Sequence, residues 1–184
     1  MIMNKTELRS GPYLAPLPAV LVSCGDAKGN RNIITIAWVG VLASDPPSVA
    51  IGVAPARYSH GLITSSREFV INLPHAEQME LLDYSGTRSG REGDKFTAAG
   101  VEAVPAAKLR WAPLIDACPV NLECKVTHQI ALGSHDAFIG EVVAAHGWEC
   151  WLDENGKLAP ALEQLVAYVA GNYTGIRPFS GPSV

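Results

Sequence analysis

The hydrophobic pattern changes period several times along the chain. Residues 19–23 (AVLVS) and 32–39 (NIITIAWV) are apolar and rich in β-branched and aromatic residues. Between them, Gly25-Asp26-Ala27-Lys28-Gly29-Asn30 has hairpin-loop composition, so the two runs are expected to pair as antiparallel strands. Residues 48–53 (SVAIGV) predict a third strand, entered through Asp45-Pro46-Pro47. That turn is stiff because each proline fixes its own φ and pushes the preceding residue towards extended geometry. Residues 69–73 (FVINL) read as a buried strand. Residues 120–130 alternate, with Leu122, Cys124 and Val126 set against Glu123, Lys125 and Thr127, the period-two signature of a half-buried strand. Gly133-Ser134-His135 forms a turn, residues 136–145 (DAFIGEVVAA) return antiparallel, and residues 148–152 add a short strand.

Helical signals are fewer. Ser59 is placed to cap a short helix ending near Ser65. Pro74 suits a first helical turn, and residues 77–84 carry Met79 and Leu82 at helical spacing. Residues 85–93 (SGTRSGREG) are a polar, glycine-rich loop, after which Asp94-Lys95-Phe96 opens one more helical turn. Strands joined by short loops predict a mainly β fold, an antiparallel barrel with a few short α-helices. The length of 184 residues, without repeat or linker, suits a single domain over residues 1–184.

Composition sharpens this picture. Charged residues are only 17% of the chain against a usual ~25%, so little is available to cover a monomer's surface, and some surface is expected to be buried against a partner or ligand. The net charge of −4 and the absence of a basic run argue against nucleic acid. The longest uncharged stretch, residues 10–25, carries Pro12, Pro16 and Pro18 and is unsuited to spanning a bilayer as a helix. The first ten residues have no apolar signal-peptide core, so a cytoplasmic protein is expected, with Cys24, Cys118, Cys124 and Cys150 as buried thiols. Cys118, Cys124 and His128 share strand parity, but their spacing matches no common zinc pattern, and no metal site is expected.

Three places could carry chemistry. Arg57-Tyr58-Ser59-His60 follows a strand and opens a helix, where free N–H groups, a forked cation and a hydroxyl suit an anion; an ordinary cap with a solvated arginine is the alternative. Ser89-Gly90-Arg91 with Asp94-Lys95-Phe96 could clamp an anionic cofactor or be a plain surface loop. Histidine as a residue type can gain or lose a proton near neutral pH, so His135 could orient or protonate a reacting ring, or simply be exposed. Hydrolase-elbow, dinucleotide and P-loop motifs are missing from the sequence.

The order of motifs is more informative than any one of them. Asn32-x-x-Thr35-x-Ala37-Trp38, Pro46-Pro47, Pro55-x-Arg57-Tyr58-Ser59 and Phe69-Val70-Ile71-Asn72-Leu73-Pro74 follow one another. Ser89-Gly90-Arg91-x-x-Asp94-Lys95-Phe96, Asn121-Leu122-Glu123-Cys124 and Gly133-x-His135-x-x-Phe138-Ile139-Gly140-Glu141-Val142 complete the series. Over about residues 15–143 the chain resembles the flavin reductase-like family, and most of all its flavoredoxin-like branch. The resemblance implies a six-stranded Greek-key split barrel with its core at about 15–145, a C-terminal extension at 155–184 and a homodimer with FMN near the subunit interface.

By the same resemblance, Asn32, Thr35, Ile36, Ala37 and Trp38, with Arg57, Tyr58, Ser59 and His60, line the cofactor's ribityl phosphate. Asn72 and Arg91 join the cofactor-binding set, Lys95 lies near the flavin, and His135 is the catalytic residue beside the ring. Relatives often carry aspartate where this chain has Ser134. The expected activity is hydride transfer from NADH or NADPH to FMN, with FAD left open as the flavin, and onward to a flavin, iron or protein acceptor. An electron carrier that does not react directly with the pyridine nucleotide, and a non-catalytic flavin binder, are the competing expectations.

Overall fold

The β-branched runs form the strands of a curled antiparallel sheet. In the computed structural model, which describes residues 4–177, the strands and helices are β1 (Leu17–Pro18), β2 (Val20–Gly25), β3 (Arg31–Ile36), β4 (Val39–Ser44), β5 (Pro47–Val53), α1 (Tyr58–Ser66), β6 (Glu68–Leu73), α2 (Met79–Thr87), α3 (Lys95–Ala99), β7 (Ala103–Val104), β8 (Leu114–Ile115), β9 (Val120–Ala131), β10 (Asp136–Gly147), β11 (Val166–Val169) and β12 (Asn172–Gly175). Seven strands pair in the order β3-β2-β6-β9-β10-β5-β4. The mainly β class matches the expectation, with one strand more than the six implied.

The extra strand has a local cause. The run at 32–39 is not one strand: the chain bends at Ala37 and Trp38, and β4 leaves that corner to pair with β5. The corner joins the two ends of the sheet, and Gly52 N–H donates to Trp38 O at 2.8 Å across it. The curled sheet encloses a core in which Val22, Ile34, Ile51, Phe69, Cys124 and Phe138 meet from five of the strands and β10, with Leu62 and Ile63 of α1 packed among them. Phe69 and Phe138 are fully buried, and each such ring contributes on the order of 1.5–3 kcal/mol relative to exposure.

A second apolar cluster lies outside the barrel wall. Leu21 and Ile33 face Leu82 of α2, Phe96 of α3 and Val166 of β11. This layer fixes the helices against β3. Asn72 sits between the layers with every partner supplied: its amide donates to Ser23 Oγ at 2.9 Å and Leu21 O at 3.1 Å, and its oxygen accepts from Ile115 N and Asn121 Nδ2.

Other local expectations are revised. The residue at the N-cap of α1 is Arg57, not Ser59, whose side chain is fully buried. The second helix runs on to Thr87 and absorbs the start of the glycine-rich loop. Residues 148–152 form a 3-10 turn over Glu149–Trp151 rather than a strand, because buried Trp151 anchors the segment from one side. Cys24, Cys118 and Cys124 are buried free thiols, but Cys150 is exposed. The Pro178-Phe179-Ser180-Gly181-Pro182 tail lies outside the described residues.

Candidate functional site

β3 runs along a cleft, which Asn32, Ile34, Thr35 and Ile36 line. The cleft has two lobes, with volumes of about 430 and 280 Å³, and both are lined by Ile34, Arg57 and Gly86. They therefore lie side by side, each of the size ordinary for a small-molecule site or part of one.

The smaller lobe is polar. Asn32, Arg57, Tyr58, Ser85, Arg88, Gly90, Arg91 and Lys95 line it. Lys95 is 3% exposed, and its ammonium donates at 2.8 Å to the carbonyls of Ile33 and Ser85. No ion pair to Lys95 forms among the described residues. Burial lowers its pKa to about 8, assisted by the nearby Arg57 charge and opposed by Cys24 and Glu92. Cys24 itself is pushed up to about 12 by burial, so it stays a neutral thiol and brings no countercharge at neutral pH.

Two polar atoms in this lobe are buried without a partner: Asn32 Oδ1 and Ser85 Oγ. The other end of the Asn32 amide donates to Ser59 Oγ at 2.8 Å. Such orphans cost free energy unless a ligand or water meets them. The loop above is built to lie close. A Cβ on Gly90 would come within 2.3 Å of Asn32 Oδ1 and 2.5 Å of the Tyr58 ring, so only glycine lets the backbone settle there. Arg91 pins this loop by donating to Ala56 O at 2.9 Å, and Asp94 caps α3 while pairing with Arg31 at 2.6 Å.

The larger lobe is built of different chemistry. Thr35, Ile36, Ala37 and Trp38 form one wall, and His135 enters from the β9–β10 turn. The His135 ring packs against Trp38 with centroids 4.3 Å apart. Ser134 Oγ lies 3.0 Å from His135 Nδ1, fixing one edge of the imidazole. Tyr168, Gly171 and Tyr173 of the C-terminal hairpin close the opposite side.

The expected residues thus divide. Asn32, Arg57, Tyr58, Arg91 and Lys95 gather in the smaller lobe, and Thr35, Ile36, Ala37, Trp38 and His135 in the larger one, with Arg57 reaching both. Lys95 stands with the cations rather than beside Trp38 and His135. Ser59 supports Asn32 from behind and is not a lining residue. The Thr35 hydroxyl is committed as a donor to Leu82 O. Asn72 and His60 lie outside the cleft: Asn72 is saturated in the core, and His60 turns to Asp136.

Sequence reading missed Ser85, Gly86, Arg88, Tyr168 and Tyr173. The cation Arg88 was visible as a residue type. The two tyrosines carried no local signal, because folding alone brings the C-terminal hairpin to the cleft.

Comparisons with known proteins agree with this architecture. The family model described as flavin reductase like domain matches residues 13–177. An uncharacterized protein of Archaeoglobus fulgidus is 33% identical over 136 residues, 73% of this chain and 75% of that protein. An NADH:riboflavin 5'-phosphate oxidoreductase of Streptomyces pristinaespiralis is 27% identical over 131 residues, 68% of each chain. The solved structure of flavoredoxin from Desulfovibrio vulgaris (Miyazaki F) superposes with a TM-score of 0.87 at 30% identity, covering 98% of this chain and 97% of that one. With the split barrel, the ordered motifs and the family match in agreement, the chain belongs to the flavin reductase-like family, a family of flavin-binding proteins.

Proposed function

We propose that the protein is an FMN-dependent oxidoreductase that takes a hydride from NADH or NADPH and passes electrons to a flavin, iron or protein acceptor. The observation that carries this reading is the division of the cleft into a lobe that gathers Arg57, Arg88, Arg91 and Lys95 and a lobe walled by the rings of Trp38, His135, Tyr168 and Tyr173. A flavin mononucleotide has the same division, a phosphate dianion at one end and a flat ring at the other. The residues fit it: Lys95 has no acid partner among the described residues, the Asn32 and Ser85 side chains each carry an orphaned polar atom, and Arg57 and Arg91 supply further donors.

When bound, the flavin supplies the redox chemistry. The chain's residues bind, orient and shield. Arg57, Arg91 and Lys95 would hold the phosphate, Asn32 Oδ1 would accept from a ribityl hydroxyl, Ser85 Oγ would meet the phosphate ester or a ribityl hydroxyl, and Trp38 would wall the ring from water. His135, its Nδ1 edge engaged by Ser134, offers Nε2 as a donor or acceptor towards a reacting ring.

We also propose a homodimer, with β4 in its interface. Val41 is 81% exposed and Leu42 56%, and Trp38, at the corner beside them, also lines the cleft. Pairing of this edge would bury the apolar surface that the low charge content leaves uncovered. Three buried thiols suit a reducing, cytoplasmic setting. Among the described residues no helix is long and apolar enough to cross a membrane.

Ser134 and the likeness to a flavoredoxin favour a second reading, an FMN electron carrier that does not react directly with pyridine nucleotide. Anaerobic mixing of the FMN-loaded protein with NADH and with NADPH separates the two. Rapid bleaching of the flavin band supports the oxidoreductase. A flavin that stays oxidised with both nucleotides, yet is reduced by dithionite, supports the carrier.

A further inference from the structure

Beside His135 lies a buried polar cluster whose members line neither lobe. Asp136 follows His135 directly and is 9% exposed. A single oxygen of its carboxylate, Oδ2, receives Gln129 Nε2 at 2.8 Å and faces His60 Nε2 at 2.9 Å. Gln129 lies on β9, Asp136 opens β10, and His60 sits in the first turn of α1. The His60 ring also meets Phe138 edge-on at 5.2 Å. These contacts hold the carboxyl below its usual range: Gln129 contributes most, then His60, against a small opposing effect of burial.

The cluster joins two pieces of the site that are remote in sequence. Arg57 caps α1, His60 N–H donates to Arg57 O at 3.1 Å, and Arg57 lines the cleft. His135 lines the same lobe from the neighbouring turn, whose tip, 132–135, is exposed except for His135 itself. Outside the sheet pairing of Asp136 with Val53 and Ala131 and the packing of His135 on Trp38, the turn's contacts are its own. Leu132 N–H donates to His135 O, and Ser134 meets His135, both within the turn.

We infer that Asp136 is a positioning residue: with His60 and Gln129 it locks the turn bearing His135 to the start of the helix bearing Arg57, and so sets the distance between the imidazole and the bound flavin. This rests on the cleft being a flavin site with His135 at the ring. An error of about 1 Å in such a distance can cost on the order of 100-fold in rate without removing any contacting group.

The test compares Asp136→Ala, Asp136→Asn and His60→Gln with wild type, using two independent readouts. The first is the NMR signal of the His135 imidazole in the flavin-free protein, assigned by its loss in His135→Gln. With Trp38 only 4.3 Å away, that signal carries a ring-current shift. In Asp136→Ala the shift is expected to collapse towards the value of free histidine. In Asp136→Asn, whose amide oxygen can still accept from both neighbours, and in His60→Gln, the shift is expected to be largely kept. The second readout is anaerobic flavin reduction by NADH per bound FMN. It is expected to fall about tenfold or more in Asp136→Ala, with FMN affinity within about twofold of wild type, and to recover in Asp136→Asn.

An unmoved His135 signal in folded Asp136→Ala would overturn the inference, as would a variant whose only defect is lost folded fraction. If wild type is not reduced by NADH at all, the hydride-transfer reading fails, and the NMR comparison still decides the positioning role.

Discussion

Replacing Lys95 with methionine probes the polar lobe at its least ordinary residue. The side chain keeps its length and loses its charge. In the flavin-free protein the ammonium is buried, bonded to two carbonyls, and without an acid partner among the described residues. Its pKa of about 8, against an ordinary 10.5, means that folding strains the charged form. Between pH 8 and 10.5 the unfolded chain binds more protons at this group than the folded one, so its contribution to flavin-free stability rises with pH across that window.

A bound phosphate reverses the sign for binding, because it favours the protonated amine. FMN affinity should therefore weaken as pH rises through about 8, the window in which flavin-free stability improves. At pH 7 the lost charge-assisted bond should cost about 1.5–3 kcal/mol, roughly 10- to 150-fold in Kd. Titrations of FMN and riboflavin, followed by flavin fluorescence from pH 6.5 to 9.5 on both proteins, check this. Wild type should show a falling FMN affinity. Lys95→Met should bind FMN weakly, with a flat profile across the upper half of the range, and should bind riboflavin like wild type. Equal FMN affinity in the two proteins, or a flat wild-type profile, would refute the reasoning.

Three further outcomes follow from the geometry. Gly90→Ala places a methyl group against the Asn32 amide and the Tyr58 ring, so isothermal titration should show FMN affinity reduced by about tenfold or more while the core melts nearly as before. His135→Ala should leave FMN affinity within about twofold and slow flavin reduction in stopped-flow measurements by about a hundredfold to ten-thousandfold, the range for loss of a positioned proton donor. Glu123 is fully buried on β9, where it accepts from Ala107 N and Lys108 N at 2.7 Å and pairs with His146. Burial raises its pKa, but these bonds outweigh it and the net shift is downward, so its contribution to stability is present above the ordinary carboxylate pKa and is lost as pH falls through the lowered one. Urea denaturation of wild type and Glu123→Gln should accordingly differ most near neutral pH and converge in acid.

Local patterns carried much of the fold. The alternation at Leu122, Cys124 and Val126 placed β9, and the Gly133 turn placed its return, but Glu123, expected on the polar face, is fully buried because Ala107 N, Lys108 N and His146 meet its carboxylate. The bend at Trp38 was not visible. Ala37 and Trp38 suit a strand by composition, and only the closure of the sheet onto β5 turns them into a corner. Ser59 has the chemistry of a helix cap, yet burial beside Asn32 gave its hydroxyl a different partner. For the site, the ordered motifs pointed to the two loops and the turn, all of which line the cleft. They did not reveal which side chains face the cleft. Asn72 and His60 belong to the right motifs, but their polar atoms are taken up within the protein, whereas Ser85 sits in a loop-like run and leaves its hydroxyl unpaired. Tyr168 and Tyr173 join the wall from a hairpin remote in sequence, a contact that no local signal encodes.

The crystal structure of the FMN complex tests the central claim most directly. The account places the phosphate among Arg57, Ser85, Arg91 and Lys95, a ribityl hydroxyl against Asn32 Oδ1, and the flavin ring between Trp38, His135 and Tyr168. A phosphate bound away from Lys95 and Arg57, or a ring outside the lobe that holds His135, would contradict it.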